Sequence, residues 1–193
     1  MLLSVPYDRR RAVEYARRWA LNRNPLFIDF TGRGGNCTSF VSQCIFAGAP
    51  VMNYTPTFGW YYLSADNRAP AWSGVDELYG FLSGAPDFSS VNMGYGPYAT
   101  DIKSSRSIDI GDVIQLANSE GRFYHTLIIS AFTDNDILVC AHSDDALDRP
   151  LSTYNYASIR VLHIEGAMLL FDDDKKFNDI FNAIALPSPP IFE

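Results

Sequence analysis

Cys37 stands in the stretch Gly34-Gly35-Asn36-Cys37-Thr38-Ser39-Phe40-Val41-Ser42-Gln43, where two glycines run into residues that read as the first turns of a buried helix. A thiol at such a junction meets unpaired backbone N–H groups and the positive end of the helix dipole, which favour an anion there. The thiolate is the attacking form of cysteine, so this placement suits nucleophilic catalysis on an acyl group. The competing reading is a buried structural cysteine, because free Cys is among the most buried residue types. A nucleophile of this kind needs a base, and the base needs a group to orient it. The chain has three histidines to offer, His125, His142 and His163.

Two of these share a hairpin. Phe123 to Phe132 and Ile137 to His142 read as strands joined by the turn Thr133-Asp134-Asn135-Asp136. Pairing through that turn sets His125 beside position 144 and His142 beside position 127, so both imidazoles lie at one end of the hairpin. Parity decides whether they share a face, and a one-residue bulge reverses the answer. A hydrogen-bonded structural histidine is the alternative for each, and His163, without a companion, reads as structural or surface-exposed.

The elements that must position these residues are legible in part. Residues 8 to 21 read as an amphipathic helix capped by Asp8, with Ala12, Tyr15, Ala16 and Trp19 on its inner face. Arg9, Arg10, Arg11, Arg17 and Arg18 then form a solvated face rather than an anion site. Asn24-Pro25 closes that helix. A second helix starts at Cys37, buries Phe40, Val41, Cys44 and Ile45, and ends at Gly48 and Pro50. Val75 to Leu82 reads as a short helix and 92 to 98 as a loop. The aromatic stretch around Trp60, Tyr61, Tyr62 and Trp72 either stacks on a sugar or peptide or packs as core. Ile110-Gly111-Asp112-Val113-Ile114 is a turn entering a strand, and Ser158 to Ile164 is another strand. Helices first and strands later give an α+β domain with an antiparallel sheet. The domain runs over 1–170 and a C-terminal extension over 171–193, with a short helix expected in 172–185 and a stiff Pro-rich tail at 187–190.

Composition removes several classes. The net charge of −7 disfavours a nucleic-acid partner. Three cysteines give no disulfide framework, and Cys44 and Cys140 read as core. No spacing suggests a zinc site. No apolar run of about eighteen residues is present, so no membrane span is expected. Met1 to Pro6 is too short for a signal peptide, which leaves a cytoplasmic location, or an extracellular one if a leader has been removed. Oligomeric state is open.

The 34–43 motif, with Tyr7-Asp8-Arg9 opening the first helix and Asn24-Pro25 closing it, resembles the bacterial putative amidase domain family, grouped with papain-like cysteine peptidases. The Ile110–Ile114 turn followed by His125 is similar in order to NlpC-type and CHAP cell-wall hydrolases. The resemblance spans most of residues 7 to 165. It implies a papain-like, NlpC-type α+β fold, with Cys37 as nucleophile, His125 as general base and His142 as the third, orienting residue. Asp144 or Asp145 is the alternative in that third role. Asn36 and Ser39 depart from the Asp and Asn of the family's usual motif, which puts a substrate role for them in question. Asn36, Trp60 and Asp144 are the expected substrate-binding residues. The activity implied is hydrolysis of an amide in a peptide or peptidoglycan stem peptide through a thioester, with no metal or organic cofactor. A catalytically silent glycan- or peptide-binding module on the same fold, and a deamidase or acyltransferase, are the competing expectations.

Overall fold

The computed structural model describes residues 2–102 and 108–170. The order is β1 (Leu2–Val5), α1 (Arg9–Trp19), α2 (Cys37–Gly48), the short helices α3 (Pro70–Ser73), α4 (Val75–Leu82) and α5 (Pro86–Ser89), and then β2 (Gly96–Asp101), β3 (Val113–Ala117), β4 (Phe123–Phe132), β5 (Ile137–Ala141), β6 (Ala146–Pro150) and β7 (Ser158–Leu170). The strands form one antiparallel sheet in the order β1-β7-β3-β4-β5-β6, and β2 also pairs with β7. This is the α+β arrangement expected from the order of patterns. The extension at 171–193 lies outside the described residues.

Helix α1 starts where Asp8 accepts the Arg11 backbone N–H at 3.0 Å. Its Ala12 and Ala16 are wholly buried, and small residues there let α1 approach α2 closely. Helix α2 is buried on nearly every side, with Phe40, Val41, Cys44 and Ile45 all inaccessible. Each such apolar side chain contributes about 1.5–3 kcal/mol on burial. The same cluster takes in Val113, Ile128, Cys140 and Leu162 from one face of the sheet. A second cluster, with Leu116, Leu127, Ile129, Val139 and Ala141, covers the opposite face. Burial on both faces explains why β4 reads as a continuous apolar run rather than an alternation.

Three expectations change. The segment 92–98 is not all loop, since Gly96 to Tyr98 begin β2 and pair with β7. Arg9 does not lie on a solvated face: it reaches across to the Ile110 and Ile164 carbonyls and to Asp112. Trp60 and Trp72 belong to the core, 4.9 Å apart between ring centroids, and Trp60 Nε1 donates to Ser42 Oγ on α2. The last two follow from tertiary contacts that a local pattern does not carry.

Candidate active site

Gly34 and Gly35 have φ of +97° and +101°, a conformation that L side chains rarely adopt, and this turn delivers the chain to α2. A Cβ on Gly35 would also stand 3.2 Å from Ser143 Oγ, so the turn sits hard against the end of β5. Cys37 is the first residue of α2 and is 7% exposed. The helix has no side-chain N-cap, because Asn36 spends its amide elsewhere. Asn36 Oδ1 accepts the Phe30 N–H at 3.2 Å and Asn36 Nδ2 donates to His142 Nδ1 at 2.8 Å, while its own backbone N–H donates to Ser143 Oγ at 2.6 Å. A buried helix start without a cap leaves first-turn N–H groups available to an anion.

The register of β4 on β5 settles the placing of the two histidines. Phe132 pairs with Ile137 and Ala131 with Leu138, but beyond a shift at Ser130 it is Ile129 that faces Val139 and Ile128 that faces Cys140. Continued along the strands, His142 falls opposite Thr126 and His125 opposite Ser143, so the imidazoles lie on opposite faces. The contacts agree. His142 stacks on Phe40 of α2, centroids 4.0 Å apart, whereas His125 pairs with Leu116 in β3 and lies 6.0 Å from the Tyr154 ring.

His142 is 1% exposed and both of its nitrogens are engaged, Nδ1 with Asn36 and Nε2 with the Trp19 carbonyl at 2.8 Å. Since the carbonyl only accepts, Nε2 carries the proton and Nδ1 is the acceptor. Burial pushes its pKa down. The ring therefore holds the turn before Cys37 against the end of α1, and neither nitrogen is bonded to His125.

His125 is 8% exposed and its Nε2 is buried without a hydrogen-bond partner. Burial lowers its pKa to about 4, opposed by the Asp144 carboxylate and helped by the Arg149 guanidinium. At neutral pH it is an unprotonated imidazole with proton-accepting capacity unused. His125 and Cys37 line one cleft of about 470 Å³, with Tyr124, Ser143, Asp144, Arg149 and Tyr154 on its other walls. The Cys37 sulfur lies 3.8 Å from Thr38 Oγ1. Arg149 donates to Asp144 at 2.5 Å and stacks on Tyr154 with its guanidinium carbon 4.0 Å from the ring centroid.

Of the sequence-derived site residues, Cys37, His125 and Asp144 come together on the cleft. Asn36 and His142 form a bonded pair behind it, and Trp60, inaccessible in the core, is not on it. Arg149 and Tyr154 escaped sequence reading: they belong to β6 and the turn after it, which no local pattern announced. His163 bonds Asp112 at 2.8 Å and does not line the cleft.

A helix-start cysteine and a strand histidine on one cleft of an α+β scaffold define a class of domain, and comparison with known proteins narrows it. Residues 6–164 match the putative amidase domain family, and the chain belongs to that family. Membership points to hydrolysis of amide bonds. The chain is also similar to the uncharacterized protein YhbB of Bacillus subtilis (strain 168), 33% identical over 127 residues, which is 65% of this chain and 37% of that relative. The chain thus spans little more than a third of that relative's length. No solved structure matches.

Proposed function

We propose that the protein is a cysteine-dependent amidase of papain-like, NlpC type that cleaves an amide in a peptide or a peptidoglycan stem peptide. The observation that carries the reading is the shared cleft: a helix-start thiol and a neutral imidazole, whose buried Nε2 has no partner, line the same space. Its volume of about 470 Å³ falls within the usual range for ligand pockets, roughly 300–1,000 Å³.

The chemistry follows from those groups. His125 takes the Cys37 proton as the sulfur bonds the amide carbon. The carbonyl oxygen becomes an oxyanion, which the uncapped N–H at the start of α2 stabilises. The C–N bond then breaks, and the imidazolium returns its proton to the leaving amine. Water attacks the resulting thioester with His125 again accepting a proton, and collapse frees the acid and the thiol. Asp144, tied to Arg149, is the carboxylate that favours the imidazolium formed in each step. His142 acts behind the site, through Asn36, rather than on His125.

The test is alkylation by iodoacetamide across pH, mapped by mass spectrometry, in wild type and His125→Ala, followed by incubation with peptides and muropeptides. Rapid labelling of Cys37 below neutral pH, lost in His125→Ala, together with an amide cleavage abolished in Cys37→Ala, supports the reading. Labelling of Cys37 no faster than the buried Cys44 and Cys140, unchanged by the mutation, sinks it. Product masses separate hydrolysis from deamidation or acyl transfer.

A further inference from the structure

A line of buried polar groups crosses the sheet to the Cys37 sulfur, and its direction can be worked out from one end. Arg160 is held between two rings, its guanidinium carbon 3.8 Å from the centroids of both Tyr79 and Phe123, and it donates to Asp76. Arg160 Nε donates to Gln115 Oε1 at 2.6 Å. An arginine only donates, so the Gln115 oxygen must face it, and the amide nitrogen must face the other way. That nitrogen donates to the Val75 carbonyl at 2.8 Å, which independently fixes the same orientation, and to Thr126 Oγ1 at 3.3 Å.

Gln115, Thr126 and Thr38 are all inaccessible to solvent. Buried hydroxyl protons find acceptors. Thr126 Oγ1 receives the amide proton, and its own proton is satisfied by Thr38 Oγ1, 2.9 Å away. Thr38, now an acceptor from Thr126, has its own proton left for the Cys37 sulfur at 3.8 Å. Each link donates toward the thiol, and hydrogen bonds aligned in one direction polarise one another.

We infer that Thr38 is a positioning residue whose hydroxyl donates to the Cys37 sulfur, its direction imposed from Arg160 through Gln115 and Thr126. The inference rests on Cys37 being the nucleophile, and it assigns to side chains of β7, β3 and β4 on the helix-covered face of the sheet a part in preparing that atom. A donor aimed at sulfur favours the attacking form over the thiol. Thr38, Thr126, Gln115 and Arg160 do not line the cleft, so they act on the readiness of the sulfur and not on binding.

The experiment is the rate of Cys37 alkylation by iodoacetamide from pH 5 to 9, on the whole chain, in Thr38→Val, Thr38→Ser, Thr126→Val and Thr126→Ser. The valine variants keep the shape and lose the hydroxyl. Thr38→Val should slow labelling at pH 6 by about fivefold, the worth of one hydrogen bond. Its profile should move to higher pH and reach the wild-type rate at the alkaline end. Thr126→Val should move the profile the same way by less, and the serine variants should restore it. Folded valine variants with the wild-type profile overturn the inference. So does a rate lowered equally at every pH, which would mean altered access alone. Should Thr126→Val fail to fold, Gln115→Glu keeps the partner of Arg160 and replaces the donor to Thr126 by an acceptor, turning Thr126 away from Thr38; it must shift the profile likewise or the inference fails. Alkylation reads the sulfur whether or not an amide is cleaved, so failure here is separable from failure of the amidase assignment.

Discussion

Removing the Asp112 carboxylate should cost this protein a large share of its stability. Asp112 is wholly buried at the turn entering β3, where Gly111 has a φ of +81°. Its Oδ1 accepts from Arg9 Nη1 at 2.6 Å and from the Ile164 N–H at 3.2 Å. Its Oδ2 accepts from the Asp109 N–H and from His163 Nδ1, both at 2.8 Å. Asp112→Ala leaves four donors short of an acceptor, one of them on a guanidinium whose side chain is 19% exposed. Breaking one side of a buried pair costs about 3–5 kcal/mol, against a total of about 5–15 kcal/mol for a domain. Arg9→Met should cost a similar amount, because it strands the buried carboxylate and the Ile110 and Ile164 carbonyls. Both changes destroy the same bond, so the double variant should fall short of additivity by about 1.5 kcal/mol or more. Urea denaturation followed by tryptophan fluorescence at neutral pH measures all four corners of the cycle. A loss below about 1 kcal/mol in Asp112→Ala, or additivity within about 0.5 kcal/mol, would refute the argument that this turn clamps α1 to the sheet.

The His125 imidazole should make the fold acid-sensitive: with its folded pKa at about 4 and its ordinary value at 6.5, the unfolded chain binds the extra proton between those pH values. Stability is then lost as pH falls from 6.5 to 4, by about 3 kcal/mol, and His125→Gln should lack that part of the slope in denaturation at several pH values. Trp60→Phe should destabilise by about 1–3 kcal/mol through the lost bond to Ser42 and a small cavity, while leaving the KM of any amide substrate unchanged; a large KM change would return Trp60 to the binding surface. Asp144→Asn removes the carboxylate that favours protonated His125, so the acid limb of the kcat/KM profile should move to lower pH, and a limb that stays in place would disconnect Asp144 from the base. Asn36→Asp replaces a donor to His142 Nδ1 by an acceptor that carries a negative charge, so His142 should titrate higher than in the wild type; histidine NMR in which it remains neutral with Nε2 protonated in the variant would contradict the Asn36–His142 bond.

The local parts of this fold were legible because their causes are local. The glycine turn and the start of α2 at Cys37 follow from backbone conformation and apolar spacing, as do the Asp8 cap and the bounds of α4 at Val75–Leu82. The hairpin was legible near its turn and not at its far end, since the shift at Ser130 carries no sequence mark of the kind glycine gives. That single residue moves His142 to the helix face, which no periodicity could announce. β1 and β6 escaped notice because short edge strands take their pairing from a neighbour, β7 in one case and β5 in the other. Arg9 escaped for the same reason: its charge is compensated by a carboxylate 103 positions away.

The division of labour around Cys37 follows from which polar groups are already satisfied. His142 has two partners and so has no nitrogen left to orient another imidazole, whatever its distance from one. His125 has an empty nitrogen, a place on the cleft and a neutral ring, which is what a proton acceptor requires. Asn36, by giving its amide to His142 and Phe30, gives up the N-cap that its position before a helix would ordinarily favour. The cost, on the order of 1 kcal/mol for a missing cap, leaves backbone N–H groups at the cleft where an oxyanion would need them. An unsatisfied helix start and an unsatisfied imidazole on one cleft are each unfavourable for folding alone. Together they are accounted for by the proposed amide cleavage, in which the substrate carbonyl accepts from the helix start and the Cys37 thiol gives its proton to the imidazole.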